Sequence, residues 1–148
     1  MSEHRATVEW VLNGEFKYET YSRQHTWRFE GGISVPGNAA PANIPRTVPP
    51  APGVDPEQAF VASLSSCHML WFLHLACNRK FVIERYVDEA TGVLDKDWMS
   101  QVTLRPRVTF SGRAPSEEEH RALHEKAHEK CFIANSVKTE VRVEATIA

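Results

Sequence analysis

Three cysteines, Cys67, Cys77 and Cys131, are the side chains of this 148-residue sequence best suited to do chemistry. A cysteine can serve as a buried hydrophobe, a metal ligand or a redox nucleophile. The number is odd, and the N-terminus Met1-Ser2-Glu3-His4-Arg5 leads into no apolar signal-like segment. Both features argue against a structural disulfide framework and for a reducing, cytoplasmic setting. Cys67 lies in Leu64-Ser65-Ser66-Cys67-His68-Met69, and Cys131 in His128-Glu129-Lys130-Cys131-Phe132. Placed side by side, two such thiols could carry one oxidation cycle, the first becoming a sulfenic acid and the second closing a disulfide onto it. Spacing alone does not establish that proximity. By composition, a cysteine among apolar residues reads first as a small packing group, and Cys77 reads as a core plug.

His120, His124 and His128 recur every fourth residue along one helix face, a spacing at which histidines can bind zinc. Glu117, Arg121 and Glu125 lie nearby, so the face reads as solvated and polar. No metal and no cofactor is expected. His68 follows Cys67 directly but points about 100° away on a helix, so it reads as a packing residue.

The elements that must position these side chains follow an α+β order. Thr7–Leu12 and Phe16–Tyr21 flank Asn13-Gly14, and Thr26–Glu30 and Ile33–Val35 flank Gly31-Gly32, so two hairpins and a strand meander are predicted. A proline-rich loop spans about 36–56. A central helix over about 55–79 follows, with Asp55 as N-cap, Pro56 in the first turn and Glu57 at the positive end. It is apolar nearly all round, which predicts a central position. Strands are expected over about 82–110. The first runs from Val82 to Leu94, with Val82, Tyr86 and Ala90 inward and a bend or bulge at Thr91-Gly92; the second spans Gln101–Phe110, with Arg105-Pro106 placing it at an edge or a kink. Ser116 and Glu119 form a capping box for a second helix over about 116–131, and a strand over about 137–147 ends the single domain, 1–148.

Seventeen Lys and Arg against nineteen Asp and Glu give a net charge of −2, which offers no electrostatic case for a nucleic acid or an anionic membrane. The longest apolar stretch, around Met69–Cys77, is broken by His74 and too short to span a bilayer.

Val54-Asp55-Pro56-Glu57-Gln58-Ala59-Phe60, then Ser66-Cys67-His68-Met69, then Ala127-His128-x-x-Cys131-x-Ile133-x-Asn135-Ser136 resemble the organic hydroperoxide resistance and osmotically inducible protein C (OsmC-like) family. Tyr21-Ser22-Arg23-x-His25-x-Trp27 is similar to a branch known only as related to it. The resemblance implies antiparallel sheets around two central helices in an intertwined homodimer. It implies a cysteine-based peroxidase that reduces organic hydroperoxides through a Cys67 sulfenic acid and a Cys67–Cys131 disulfide, with electrons from a dithiol such as a dihydrolipoyl protein. Cys67 matches the peroxidatic residue, Cys131 the resolving one and Glu57 the glutamate of the family. Arg23 matches the arginine, with Arg28 as its rival. The alternative is a non-catalytic binder of apolar ligands, or a redox sensor, on the same fold. Trp71, Phe72, Phe132 and Ile133 could line a substrate channel, although each also reads as core.

Helix arithmetic adds a constraint. Cys67 lies about three turns from the helix start, beyond reach of the helix dipole, so a reactive thiolate there needs a cation brought from elsewhere. Glu57 and Cys67 are roughly 15 Å apart along one helix, so a Glu57 that serves Cys67 is expected to come from the other subunit.

Overall fold

Gly31 and Gly32 make the turn the sequence predicts. Their φ angles of 81° and 79° suit the left-handed pair that joins two twisted strands tightly. The computed structural model describes all 148 residues, and the chain divides into two compact units, Met1–Ala59 and Phe60–Ala148.

In the first unit, strands β1 (Ala6–Glu9), β2 (His25–Phe29) and β3 (Ile33–Gly37) form an antiparallel sheet in that order. The hairpin expected at Asn13-Gly14 does not form. β1 pairs directly with β2, from Ala6 opposite Phe29 to Glu9 opposite Thr26, and residues 10–24 leave the sheet. The cause is side-chain packing. Trp10, Phe16 and Tyr21 gather into one cluster, with ring centroids 5.0–6.0 Å apart, instead of alternating across a ladder. Trp10 Nε1 donates to the Ser22 carbonyl at 2.7 Å, and Thr47 Oγ1 reaches the Glu19 carbonyl at 2.6 Å. The proline-rich segment is irregular apart from one 3-10 turn, Pro41–Asn43. It closes where Asn38 N–H donates to Val54 and Val54 N–H to Pro36. Gly53 is required at that closure, since a Cβ there would come within 2.7 Å of the Gly37 backbone.

Helix α1 (Pro56–Asn78) begins as predicted. Gln58 N–H donates to Asp55 Oδ1 at 2.8 Å, and Asp55 N–H to Gln58 Oε1 at 3.2 Å, a reciprocal cap of the first turn. It ends on Lys80, whose φ of 65° lets Phe81 N–H reach the Ala76 carbonyl and Lys80 N–H that of Cys77, a closing motif usually built on glycine.

The second unit departs from its predicted strands in one consistent way. The run 82–94 is β4 (Val82–Asp88) and β5 (Thr91–Asp95), and the run 101–110 is β6 (Trp98–Leu104) and β7 (Pro106–Ser111). Helix α2 (Glu117–Lys130) follows, and the run 137–147 is β8 (Glu140–Val143) and β9 (Thr146–Ile147). The first member of one run and the second members of the other two form sheet β4-β7-β9; the remaining three form β5-β6-β8. The breaks fall side by side, so this is a crease across three neighbouring strands. Asp88 secures it: one carboxylate oxygen accepts the Arg105 N–H at 2.6 Å, and the other accepts the Ser65 hydroxyl of α1. Both sheets are mixed, since β8 runs parallel to β6 and β9 parallel to β7; the expectation of wholly antiparallel sheets is corrected, while the α+β class stands. Val82, expected inward, is exposed.

The crease gives α1 two surfaces to pack on. Leu64 joins Val102 and Leu104 in one cluster; Phe72 and Ala76 join Phe81, Val108, Leu123 and Ala127 in the other. Only the stripe Leu64, His68, Phe72 and Ala76 is buried, so a helix apolar nearly all round is covered along one face, and Leu70 is 61% exposed. By length and composition the whole of α1 could cross a membrane, which the shorter Met69–Cys77 stretch did not reveal; its buried stripe is engaged in the core. The capping box of α2 is present, with Glu119 N–H donating to Ser116 Oγ at 3.1 Å and Ser116 N–H to Glu119 Oε1 at 3.2 Å.

Candidate redox site

Cys67 sits in the middle of α1 and is half-buried; Cys131, at the C-cap of α2, is 1% exposed. The Cys67 thiol is close enough to act on that of Cys131, so residues 64 positions apart in sequence are neighbours in the fold. The 3-10 turn Ala134–Ser136 that follows Cys131 aims backbone at its sulfur, with Ala134 N–H at 3.4 Å from Sγ. Burial, and then the neighbouring Cys67 thiol, push the Cys131 thiol up to about 11 against the pull of the Ala134 and Ile133 N–H groups. Cys131 is therefore a neutral thiol at pH 7. Cys67 opens on a cavity of about 280 Å³ lined also by Leu70, Trp71, His74 and Phe132. The pair is thus asymmetric, one sulfur accessible and the other sealed behind it. Of the four residues considered for a channel, Trp71 and Phe132 line this cavity, whereas Phe72 is fully buried and Ile133 packs against the Leu64 cluster.

Arg23 and Glu57 belong to the first unit and line one cavity of about 510 Å³ there. Arg23 is partly buried; its guanidinium donates to the Tyr21 carbonyl at 2.6 Å and the Tyr18 carbonyl at 2.9 Å. Glu57 Oε2 is buried without a hydrogen-bond partner. Arg28 is exposed on β2 and pairs with Glu9 at 3.3 Å. The four residues singled out by sequence are therefore brought together as two pairs, Cys67 with Cys131 and Arg23 with Glu57.

The helical histidines are not a solvated face. His120 and His124 are buried, and with His68 they form a chain: His68 Nε2 to His124 Nδ1 at 2.9 Å, then His124 Nε2 to His120 Nε2 at 3.2 Å. Phe72 stacks on His124 with a centroid distance of 4.0 Å. Burial first, then the His128 charge, lower His68 to about 4; burial, His68 and His120 lower His124 to about 2. A signal was available: His120 and His124 sit one turn from Leu123 and Ala127 on the apolar stripe of α2, and His68 occupies the fourth-residue stripe of α1. No three His, Cys, Asp or Glu side chains converge to hold a metal ion. Cys77, expected as a core plug, is exposed at the end of α1.

The sequence matches the model of the OsmC-like protein family over residues 49–146. Among solved structures, the fold is similar to an OsmC-like protein of unknown function from Vibrio cholerae, with 43% identity, 99% of this chain and 100% of that one covered, and a TM-score of 0.89. It is similar to an OsmC-like protein from Mycoplasma pneumoniae at 16% identity, covering 99% and 98%, with a TM-score of 0.75. It also resembles an organic hydroperoxide resistance protein from Legionella pneumophila at 18% identity, covering 100% and 99%, with a TM-score of 0.61. No curated protein matches the sequence.

Proposed function

The chain belongs to the OsmC-like protein family, and from that premise we propose that it is a cytoplasmic thiol peroxidase reducing organic hydroperoxides to alcohols. The observation that carries this reading is the pairing of an accessible Cys67 with a neighbouring, sealed Cys131. In the proposed cycle the Cys67 thiolate attacks the terminal peroxide oxygen, the O–O bond breaks, and the alkoxide leaves as alcohol on taking a proton. Cys67 is then a sulfenic acid. The Cys131 thiol attacks that sulfur, water departs and a disulfide forms. A dithiol, with a dihydrolipoyl protein as the proposed donor, returns two electrons and is itself oxidised to a disulfide. The resemblance to organic hydroperoxide resistance proteins supports the substrate class, and the apolar walls Leu70, Trp71 and Phe132 suit an organic tail.

A second copy of the chain is part of the proposal. Glu57 and Cys67 lie about 15 Å apart along α1, and Glu57 Oε2 is buried with nothing to bond, a costly arrangement for a carboxylate left alone. An Arg23–Glu57 pair meeting Cys67 of the partner subunit answers both points: the guanidinium stabilises the thiolate and orients the peroxide. Neither nucleic acid nor a membrane has a role in this scheme. The test is steady-state reduction of cumene hydroperoxide with dihydrolipoamide, wild type against Cys67→Ser. Turnover only in the wild type is expected. Equal rates would end the peroxidase reading, and thiol loss without turnover would favour the sensor.

A further inference from the structure

Residues 10–24, which leave the sheet, are built around one side chain. The Arg23 guanidinium carbon stands 3.6 Å from the centroid of the Tyr21 ring and 5.0 Å from that of Tyr18. The same two residues supply the carbonyls it bonds, Tyr21 at 2.6 Å and Tyr18 at 2.9 Å. Those carbonyls are presented by a turn in which Tyr21 N–H and Thr20 N–H both donate to Lys17. The Tyr21 ring is in turn held edge-on by Trp10 at 6.0 Å and tilted against Phe16 at 5.0 Å. His25 Nδ1 lies 2.8 Å from the Arg23 carbonyl and fixes its backbone on the other side.

From this geometry we infer that Tyr21 is a positioning residue of the redox site, a stacking platform that sets the plane of the Arg23 guanidinium. The inference rests on the peroxidase reading and deepens it. Arginine has several rotatable bonds and sits here on irregular backbone, so its direction must be imposed from outside. An aromatic face attracts a cation and a planar guanidinium stacks on it, which fixes the plane; the two carbonyls fix rotation within that plane. The guanidinium has five N–H donors, and two are spent on the carbonyls. Three stay free on the fork, enough for a thiolate, a peroxide oxygen and the Glu57 carboxylate. Lysine could not substitute, because an ammonium has no plane to align.

The test uses the full-length protein and measures the second-order rate of Cys67 oxidation by cumene hydroperoxide, together with the pH profile of Cys67 alkylation by iodoacetamide. Tyr21→Leu is expected to slow oxidation about tenfold and move the alkylation profile to higher pH, and Tyr21→Phe to recover most of both, since the ring face is what attracts the cation. In an Arg23→Ala background, Tyr21→Leu is expected to add nothing. Should the leucine variant fail to fold, stepwise ring fluorination of phenylalanine at position 21 keeps the shape while draining the ring face of negative charge, and the rate should fall with each step. An unchanged rate across the fluorinated series, or the same loss from Tyr21→Leu with and without Arg23, would overturn the inference. If Arg23→Ala itself leaves the rate unchanged, the arginine assignment fails instead.

Discussion

His68 Nε2 and His124 Nδ1 stand 2.9 Å apart inside the core and tie α1 to α2. Both rings are neutral at pH 7, His68 lowered to about 4 and His124 to about 2, chiefly by burial. Above pH 6.5 neither the folded nor the unfolded chain protonates them, so their stabilising contact is intact. Below it, the unfolded chain takes up protons that the folded one refuses, and stability falls as pH drops from 6.5 toward 4. For His68 the loss should be on the order of 3 kcal/mol. Urea titrations between pH 7.5 and 4 check this: His68→Gln should show a shallower decline, and a parallel one would sink the assignment. His120 and His124, both lowered by burial, stay in the same cluster, so part of the slope will persist in that variant.

Phe72 is fully buried and stacks on His124 at 4.0 Å. Phe72→Ala should cost about 3–5 kcal/mol, the usual range for emptying an aromatic site in a core. Denaturant unfolding at pH 7.5 measures it directly. A loss under 1 kcal/mol would mean that the cluster around Phe81 and Val108 can collapse into the gap.

Cys131→Ser should separate the two halves of the proposed cycle. The first equivalent of hydroperoxide is still consumed and Cys67 is captured by dimedone as a sulfenic acid, while dithiol-dependent turnover falls by about a hundredfold or more, since the disulfide route is closed. Mass mapping of the adduct checks the site. Dimedone found on Cys77 in place of Cys67 would refute the assignment of roles.

Arg23 and Arg28 make opposite predictions. Arg28 is exposed and pairs only with Glu9, and such a surface pair is worth about 0–1 kcal/mol, so Arg28→Ala should stay within about twofold of wild type in peroxide reduction. Arg23→Ala should lose roughly a hundredfold to a thousandfold, the range for removing one preorganised electrostatic donor. Stopped-flow oxidation of both variants decides between them.

Asp88 should matter far more than an acidic residue near a sheet edge usually does. Asp88→Ala removes the acceptor of both the Arg105 N–H and the Ser65 hydroxyl, at about 0.5–1.5 kcal/mol for each hydrogen bond lost. Asp88→Asn should recover part of the loss. Equal stability of the alanine variant in thermal melts would contradict the role given to the crease.

What was legible in the sequence was what short range decides. Gly31-Gly32, Asp55-Pro56 and the Ser116–Glu119 box act within four residues, and each produced its element. The Asn13-Gly14 signal is equally local, yet it lost to Trp10, Phe16 and Tyr21, whose mutual packing no alternation rule anticipates. Thr91-Gly92 and Arg105-Pro106 marked where two of the long runs break, but not that the breaks align, because the link that joins them, Asp88 reaching Arg105, lies across 17 residues. The histidines were misread because Glu117, Arg121 and Glu125 border the same cavity and stay exposed, while the imidazoles of His120 and His124 turn into the core against Phe72. As for the site, resemblance alone pointed to Cys67 with Cys131, since no periodicity links positions 64 residues apart.

The crease at Asp88–Arg105 has a consequence for how this unit comes apart. Each long run crosses it, so the Leu64 cluster and the Phe72 cluster are threaded by the same lengths of chain. Neither can open while leaving its neighbour's backbone undisturbed. Amide hydrogen exchange should therefore find a single cooperative block, with Val102 and Val108 exchanging through one shared global opening and not through two independent ones.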